Sequence, residues 1–522
     1  MTPASAPSAQ QLRLRENQLF LALSIVVGIL AGLAAVLFSL AIERTSHALF
    51  GLMPSNARLL AIPALVSVVT GILLVKVFPD VRGSGVPQTE AAFRLQGGVI
   101  PARVPLGKFL LGVLCIGSGH SMGREGPSVQ IGAGIASVIG RWLRLPPARV
   151  KELVPVGAAG ALSAAFNTPI AAVIFALEEI IGDMNATLLG STVVASVAAV
   201  VVERSILGNE PLFRVPPYQL KHPAELVAYA ALGIAGGGVS LAFCKGLLGM
   251  RLLFRRMPSS TRWLQPAMGG LAIGALLIGA PQVMGVGYEY VDQALNGGLL
   301  FKTLLTMCVL KIVATIISYS SGNAGGIFAP SLFIGAMLGG AVGTVVHHIA
   351  PLSAGDSGAY ALVGMGTLFA GIIRAPMTSV FMIFEITQDY QILVPLMVAN
   401  LLSFVISRRY QPVPVYHALL EQDGIHLPSV TTRTINWTAR DVMRTDPGFV
   451  LLPGVHAHPD HPLDLVLERL AQIDGALPIV SREQVGRLEG VITLEDVTRF
   501  IGEQRATEKP LEAAPDGPAP SD

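Results

Sequence analysis

Charge is scarce in this chain. Of its 522 residues only 13% are Asp, Glu, Lys or Arg, where soluble domains carry about a quarter. So few charges cannot clothe a globule in water, which excludes an ordinary soluble domain. A formal net charge of +2 says nothing of nucleic acid, and none is expected as a partner. Cysteine is nearly absent: Cys115, Cys244 and Cys308 each lie inside an apolar run, which excludes a disulfide frame and makes them small buried hydrophobes. His347–His348 and the group His456, His458, His461 lack the cysteines or close-set carboxylates of a metal site, so no metal is expected.

Apolar runs are plentiful. Hydrophobic residues make up 52% of the chain, mean hydropathy is +0.60, and runs of spanning length recur at 20–42, 59–78, 224–244 and 392–406. With the shorter, interrupted runs there are about a dozen, judged against the roughly 20 residues needed to cross a bilayer. The first run is too long for a signal-peptide core and is read as retained. Basic residues flank the first and last runs (Arg13 and Arg15; Arg408 and Arg409), and Arg255, Arg256 and Arg262 end another. The positive-inside rule then puts both termini in the cytoplasm, residues 1–16 included. The lack of a targeting signal points to a bacterial plasma membrane.

Many of the 56 glycines cut these runs into pieces too short to span. Broken helices survive in hydrocarbon only where protein or a water-filled cavity receives the freed backbone groups. The breaks also repeat. GREGPSVQIGAG from Gly123 aligns with GIFAPSLFIGAM from Gly326, and GAAGALSAAFNTPIAAVIFALE from Gly157 aligns with GMGTLFAGIIRAPMTSVFMIFE from Gly364, matching Pro169 to Pro376 and Glu178 to Glu385. The expected plan is an all-α polytopic membrane protein with an internally duplicated transport domain over 17–410, its halves roughly 59–205 and 265–406. Paired interrupted segments point to a binding site near the bilayer midplane. A linker over 411–435 carries Tyr416, a small α/β module follows at 436–504, and the Pro/Ala-rich tail 505–522 is expected to be disordered.

A helix that starts at glycine in a membrane leaves backbone N–H groups unpaired at the positive end of its dipole, a seat for an anion that needs no full positive charge. Four such starts occur: GSGVP at 83–87, GREGP at 123–127, GGIFAP at 325–330 and the stretch around Tyr416. Ser84 and Tyr416 offer hydroxyls, while Gly123, Arg124, Gly126, Ile327 and Phe328 offer amides. Weak, multiple sites of this kind suit transit.

These three motifs, in this order and with the later tyrosine, resemble the signature of the CLC family of chloride channels and chloride/proton antiporters, over roughly 17–420. The resemblance implies a homodimer in membrane lipid, each subunit an inverted repeat of tilted, broken helices with its own anion pathway. It implies that Ser84, Tyr416, Ile327 and Phe328 hold a central chloride and that Glu125 is a gating glutamate which competes for an anion position and leaves it when protonated. FNTPIAAVIFALEEI places Glu179 where proton-coupled members carry a relay glutamate, with Glu178 as a neighbour that braces it, so exchange is preferred to a passive channel. ARDVM at 439–443 and the segment LPIVSREQVGRLEGVITLEDVTRFI resemble a cystathionine-β-synthase (CBS) repeat, in which Gly490, Thr493 and Asp496 can line an adenosine ribose. Such repeats work in pairs and one is present, so no cofactor is expected and the lone repeat is expected to meet its twin across the dimer. An intramembrane hydrolase using Ser84 or Ser118 with His120 would need a held serine–base pair, and a divalent-cation transporter more membrane carboxylates than there are. The chain is therefore read as a transporter and not an enzyme.

Overall fold

The computed structural model describes residues 9–51, 54–182, 188–209, 212–213, 215, 222–351, 355–427, 437–445, 455–473, 475–482 and 487–507. They fall into two units divided between Leu427 and Pro428. The first is helical throughout. Among the described residues, seven helices are long and apolar enough to cross a membrane, and apolar helices of 10–17 residues stand beside them, among them Gln265–Gly279, Ser357–Ile372 and Pro376–Thr387. Several of the apolar runs are thus short broken helices.

The two sequence repeats build matching structures. In the first half the buried Lys108 donates to Val81 O at 2.8 Å and Gly83 O at 2.7 Å; in the second, the buried Lys311 donates to Val283 O at 3.1 Å and Gly285 O at 2.7 Å. Each ammonium gathers the carbonyls of a loop just before Gly85 or Gly287, glycines held at φ 102° and 81°, where a Cβ would be strained. Helices Glu125–Trp142 and Pro147–Phe166 cross where Gly132 meets Gly157, and Phe328–Ile349 and Ser357–Ile372 cross where Gly335 meets Gly364. Glycine at these crossings lets backbones touch, the small-residue packing that lipid favours.

One exchange fixes how the halves are related. The Glu178 carboxylate accepts from Met377 N at 3.2 Å and Thr378 N at 2.8 Å, and the Glu385 carboxylate accepts from Ile170 N at 2.9 Å and Ala171 N at 2.7 Å. Each acid, late in its own helix, caps the start of the other repeat's helix. Reciprocal capping requires the helices beginning at Pro169 and Pro376 to run antiparallel, so the halves are inverted. Each cap satisfies amides that the break would leave orphaned in hydrocarbon.

Tyr416 does not lie in a linker between units. It belongs to helix Val415–Gln422 of the first unit, which Arg251 fastens through Leu419 O at 3.2 Å, Gln422 Oε1 at 2.9 Å and the Asp423 carboxylate at 2.7 and 2.8 Å.

The second unit pairs β1 (Leu477–Val480) antiparallel with β2 (Leu488–Ile492) and packs helices Leu463–Leu470 and Leu494–Thr507 around a core containing Leu463, Val466, Ile479 and Ile492. The last helix carries on through residues 505–507, past the expected start of the tail; residues 508–522 lie outside the described residues. His458 and His461 pack ring to ring at 5.0 Å, and His458 Nδ1 meets Val480 O at 2.7 Å. Asp496 Oδ2 accepts from Thr493 N (3.0 Å), Thr493 Oγ1 (2.6 Å) and Arg444 Nε (3.0 Å). Burial alone would raise this carboxyl's pKa, but the bonds from Thr493 and Arg444 outweigh it and hold it below the ordinary 3.8. Its contribution to stability is therefore complete above 3.8 and lost as pH falls through the lower folded value. Asp496→Ala is expected to speed amide exchange in β2 and the last helix of the full chain about tenfold at pH 7, the loss of one charge-assisted cap; unchanged exchange would refute this.

Candidate functional site

Three helix-start loops of the first unit are laced together by main-chain bonds. Gly83 N donates to Asn323 O at 3.2 Å and Gly325 N to Gly83 O at 3.1 Å, while Gly123 and Gly326 exchange N–H···O bonds of 2.7 and 2.8 Å. Only bare backbone fits so closely: a Cβ on Gly326 would stand 3.2 Å from Gly123 O, and one on Gly85 2.9 Å from Gly126 O. The lacing also corrects one expectation. The Gly123 amide is spent on Gly326 O and is not free for an anion.

The amides that remain come in two matching sets. Helix Glu125–Trp142 makes its first intrahelical bond from Ser128 N to Arg124 O, and helix Phe328–Ile349 from Ser331 N to Ile327 O, with Pro127 and Pro330 supplying no donor. Arg124, Glu125 and Gly126 on one side, and Ile327, Phe328 and Ala329 on the other, thus present N–H groups with no backbone acceptor among the described residues. The rings stay out of the way: Phe328 packs on Phe166, Phe175 and Phe369 with centroids 5.1, 5.8 and 4.4 Å distant.

Glu125 is 0% exposed. It opens its helix, where the dipole favours a negative charge, and its Oε1 accepts from the Tyr288 hydroxyl at 2.5 Å. Its Oε2 lies beside Gly123, next to the Ala329 amide, which acts on the carboxylate without meeting hydrogen-bond geometry, and Oε2 has no other partner among the described residues. Ser84 and Tyr416 are also 0% exposed. Their hydroxyls interact with each other without meeting hydrogen-bond geometry to any group among the described residues, and Ser84 abuts Gly126 so tightly that a Cβ there would strike its Oγ. Buried polar atoms without partners are costly in a protein interior; here the Ser84 hydroxyl stands against Gly126 at one helix start, and the other helix start brings the Ala329 amide to the Glu125 carboxylate. That chemistry fits a small anion and carries no full positive charge.

Arg124 acts on Glu125 through space but makes no direct ion pair with it. Its guanidinium reaches Glu43 at 3.6 Å and lies over the Tyr288 ring at 5.6 Å from the centroid. A second carboxylate, Glu179, is 8% exposed with an unpartnered Oε1. It sits in a π-helical turn, Ala176–Ile181, the local widening that often marks functional positions. Glu90, Glu178 and Arg94 are the charged groups facing it. Glu178 does not brace Glu179 but holds the opposite repeat, because the widened turn aims its carboxylate at Met377 and Thr378. Tyr416 is within electrostatic reach of both Glu125 and Glu179. His120 bonds Ser67 at 2.7 Å and Ser118 bonds Cys115 O at 3.0 Å, so neither Ser118 nor Ser84 has His120 as a base.

A cavity of about 780 Å³ opens onto Gly83 and is lined by Arg82, Arg251, Arg255, Arg262 and Asp423. Asp80 and Asp423 share these walls with the four arginines, and a surplus of one sign of charge raises the local concentration of the opposite ion. Asp423 takes part of that charge, pairing with Arg251 at 2.7 Å and Arg255 at 2.5 Å. Reasoning from sequence missed Arg82 and Arg251, the two gathering lysines and Tyr288. One signal was present: GSG at 83–85 and GVG at 285–287 form a third repeated pair, and the residue after the second is Tyr288.

Similarity to known proteins places the chain in a family. The model of the voltage gated chloride channel family matches residues 66–408 and that of the CBS domain residues 439–503. A ClcB-like protein of Ralstonia nicotianae, named as a chloride channel protein, is 34% identical over 73% of this chain and 90% of its own length. The H(+)/Cl(-) exchange transporter ClcA of Vibrio cholerae is 31% identical over 77% and 88%. Among solved structures, a slow cyanobacterial Cl-/H+ antiporter superposes with a TM-score of 0.72 at 28% identity, over 77% of this chain and 97% of that one. With its inverted halves, its laced helix starts and a family match across most of its length, the chain belongs to the voltage gated chloride channel family, with a CBS domain at its C-terminal side.

Proposed function

We propose that this protein exchanges chloride for protons across a membrane, with Glu125 as the group both ions share. The observation that carries the reading is the seat of Glu125: a wholly buried carboxylate at a helix start, among the donors that would otherwise hold an anion. A carboxylate and a chloride compete for such a seat. Protonation removes the reason for the carboxylate to stay, so each proton taken up releases the seat to chloride, and each proton lost returns it. Ser84 and Tyr416 supply hydroxyls, and Ile327, Phe328 and Gly126 supply amides, to the chloride next along the path. Glu179, off that path, hands protons to Glu125. A passive channel needs an anion path but no second buried acid, and the relatives named as exchangers favour the same reading.

The protein works as a homodimer whose two CBS domains pair, in a bacterial plasma membrane with both termini in the cytoplasm. The test is purified protein in liposomes. An imposed chloride gradient is expected to drive protons uphill, read with an internal pH dye. Chloride flux without proton movement would leave the passive channel, the reading suggested by the name of the Ralstonia relative. No chloride flux would end both.

A further inference from the structure

The exchange reading accounts for Ser84 and Tyr416 but leaves Tyr288 without a part. This residue begins helix Tyr288–Leu295, straight after Gly287. Inverted symmetry makes its loop, Gly285–Val286–Gly287, the counterpart of the Gly83–Ser84–Gly85 loop, each gathered by its own lysine. The first loop presents a hydroxyl from within, on Ser84. The second presents one two residues later, on Tyr288, and aims it at Glu125 Oε1 at 2.5 Å. Three contacts hold the ring: Phe213 meets it edge-on at 5.1 Å, Arg124 lies over its face, and Gly287 fixes the turn beneath it. A cation over a phenol ring draws electron density from it and makes its O–H a stronger donor. The residue as a whole is half-buried, and its hydroxyl is turned inward to the wholly buried Glu125 carboxylate.

A donor that meets a carboxylate oxygen at this distance meets whatever anion replaces that oxygen. We propose that Tyr288 is a further anion ligand of this protein: its hydroxyl holds Glu125 while the carboxylate is seated and passes to chloride when the carboxylate withdraws. The path then has a tyrosine hydroxyl at each end, Tyr416 with Ser84 and Tyr288 with Glu125. The amides of Arg124, Glu125 and Ala329 complete the Tyr288 end. Were Tyr288 only a structural brace, the empty seat would bind chloride equally well without its hydroxyl.

This inference rests on the exchange reading, and its test separates the two. Glu125→Gln removes the competing charge and leaves the seat to chloride; chloride binding to that variant and to Glu125→Gln/Tyr288→Phe is measured by calorimetry on detergent-solubilised protein. Phenylalanine keeps every ring contact and deletes only the donor. About tenfold weaker binding is expected in the double variant, the usual worth of one hydrogen bond to a charged group. Equal affinities would overturn the assignment while leaving the exchange reading intact; failure of unaltered protein to exchange chloride for protons in liposomes would overturn the exchange reading instead. Should the Phe variant not be monodisperse, Tyr288→Met in the same background is read in the same two ways.

Discussion

Glu125→Ala is expected to abolish proton movement while chloride continues to flow. The side chain occupies the seat as an anion and contributes no donor to it. Its removal leaves the unpaired amides of two helix starts and the hydroxyls of Ser84 and Tyr416 in place, so the attraction that brings chloride in persists. What disappears is the one carboxyl on the path that can carry a proton through the same space. In liposomes under a chloride gradient, proton uptake is expected at background and chloride flux within about threefold of the unaltered protein, a difference of less than 1 kcal/mol in the barrier. The flux of the variant is also expected to lose its dependence on pH, since the titrating gate is gone. Uphill proton uptake by the Ala variant would sink the assignment.

Glu179→Gln is expected to cut proton transport at least about tenfold, with chloride flux persisting. Buried ionisable groups within a membrane are expensive to keep and mark ion or proton routes; the Oε1 of this one has no hydrogen-bond partner among the described residues. The amide matches it in shape, so packing against the turn Ala176–Ile181 survives. The comparison with its neighbour is the control. Glu178→Gln weakens a cap on the opposite repeat and acts through folding, whereas Glu179→Gln leaves yield and monodispersity unchanged while the ratio of protons to chloride collapses. If that ratio holds, protons reach Glu125 another way. The nearest alternative is Glu90, which bonds His417 at 2.9 Å and Arg94 at 3.0 Å.

Much of the site was legible in residues because it is built from backbone. GSGVP, GREGP and GGIFAP mark places where chain must approach chain without a Cβ, and glycine beside proline is how a sequence records that need. The duplication was legible for the same reason, since both halves solve one crossing problem with glycines at matched positions. Its inversion was not, because direction in space leaves no trace in a linear alignment; it emerged from which amides Glu178 and Glu385 reach. Tyr288 escaped because its role depends on a contact between halves, and Lys108 and Lys311 because a lone lysine in an apolar run gives no hint of the carbonyls it will gather. The π-helical turn that separates the jobs of Glu178 and Glu179 has no sequence mark at all. Tyr416 was correctly singled out but placed in a linker, since the proline-rich stretch before it reads as a boundary while Arg251, which docks its helix, lies far away in the chain.

The reciprocal caps carry a lesson about origins. Two identical chains meeting across a twofold axis would make this same contact twice, the acid of each closing the helix of its mate, which is the isologous arrangement of a symmetric dimer. Joining such a pair end to end would preserve the contact and free the two copies to diverge, so that one loop could keep a serine where its sibling acquired a valine, with a tyrosine two residues on. The fused molecule then holds two unlike ends around one shared centre, and an ion crossing it meets different chemistry on arrival and on departure.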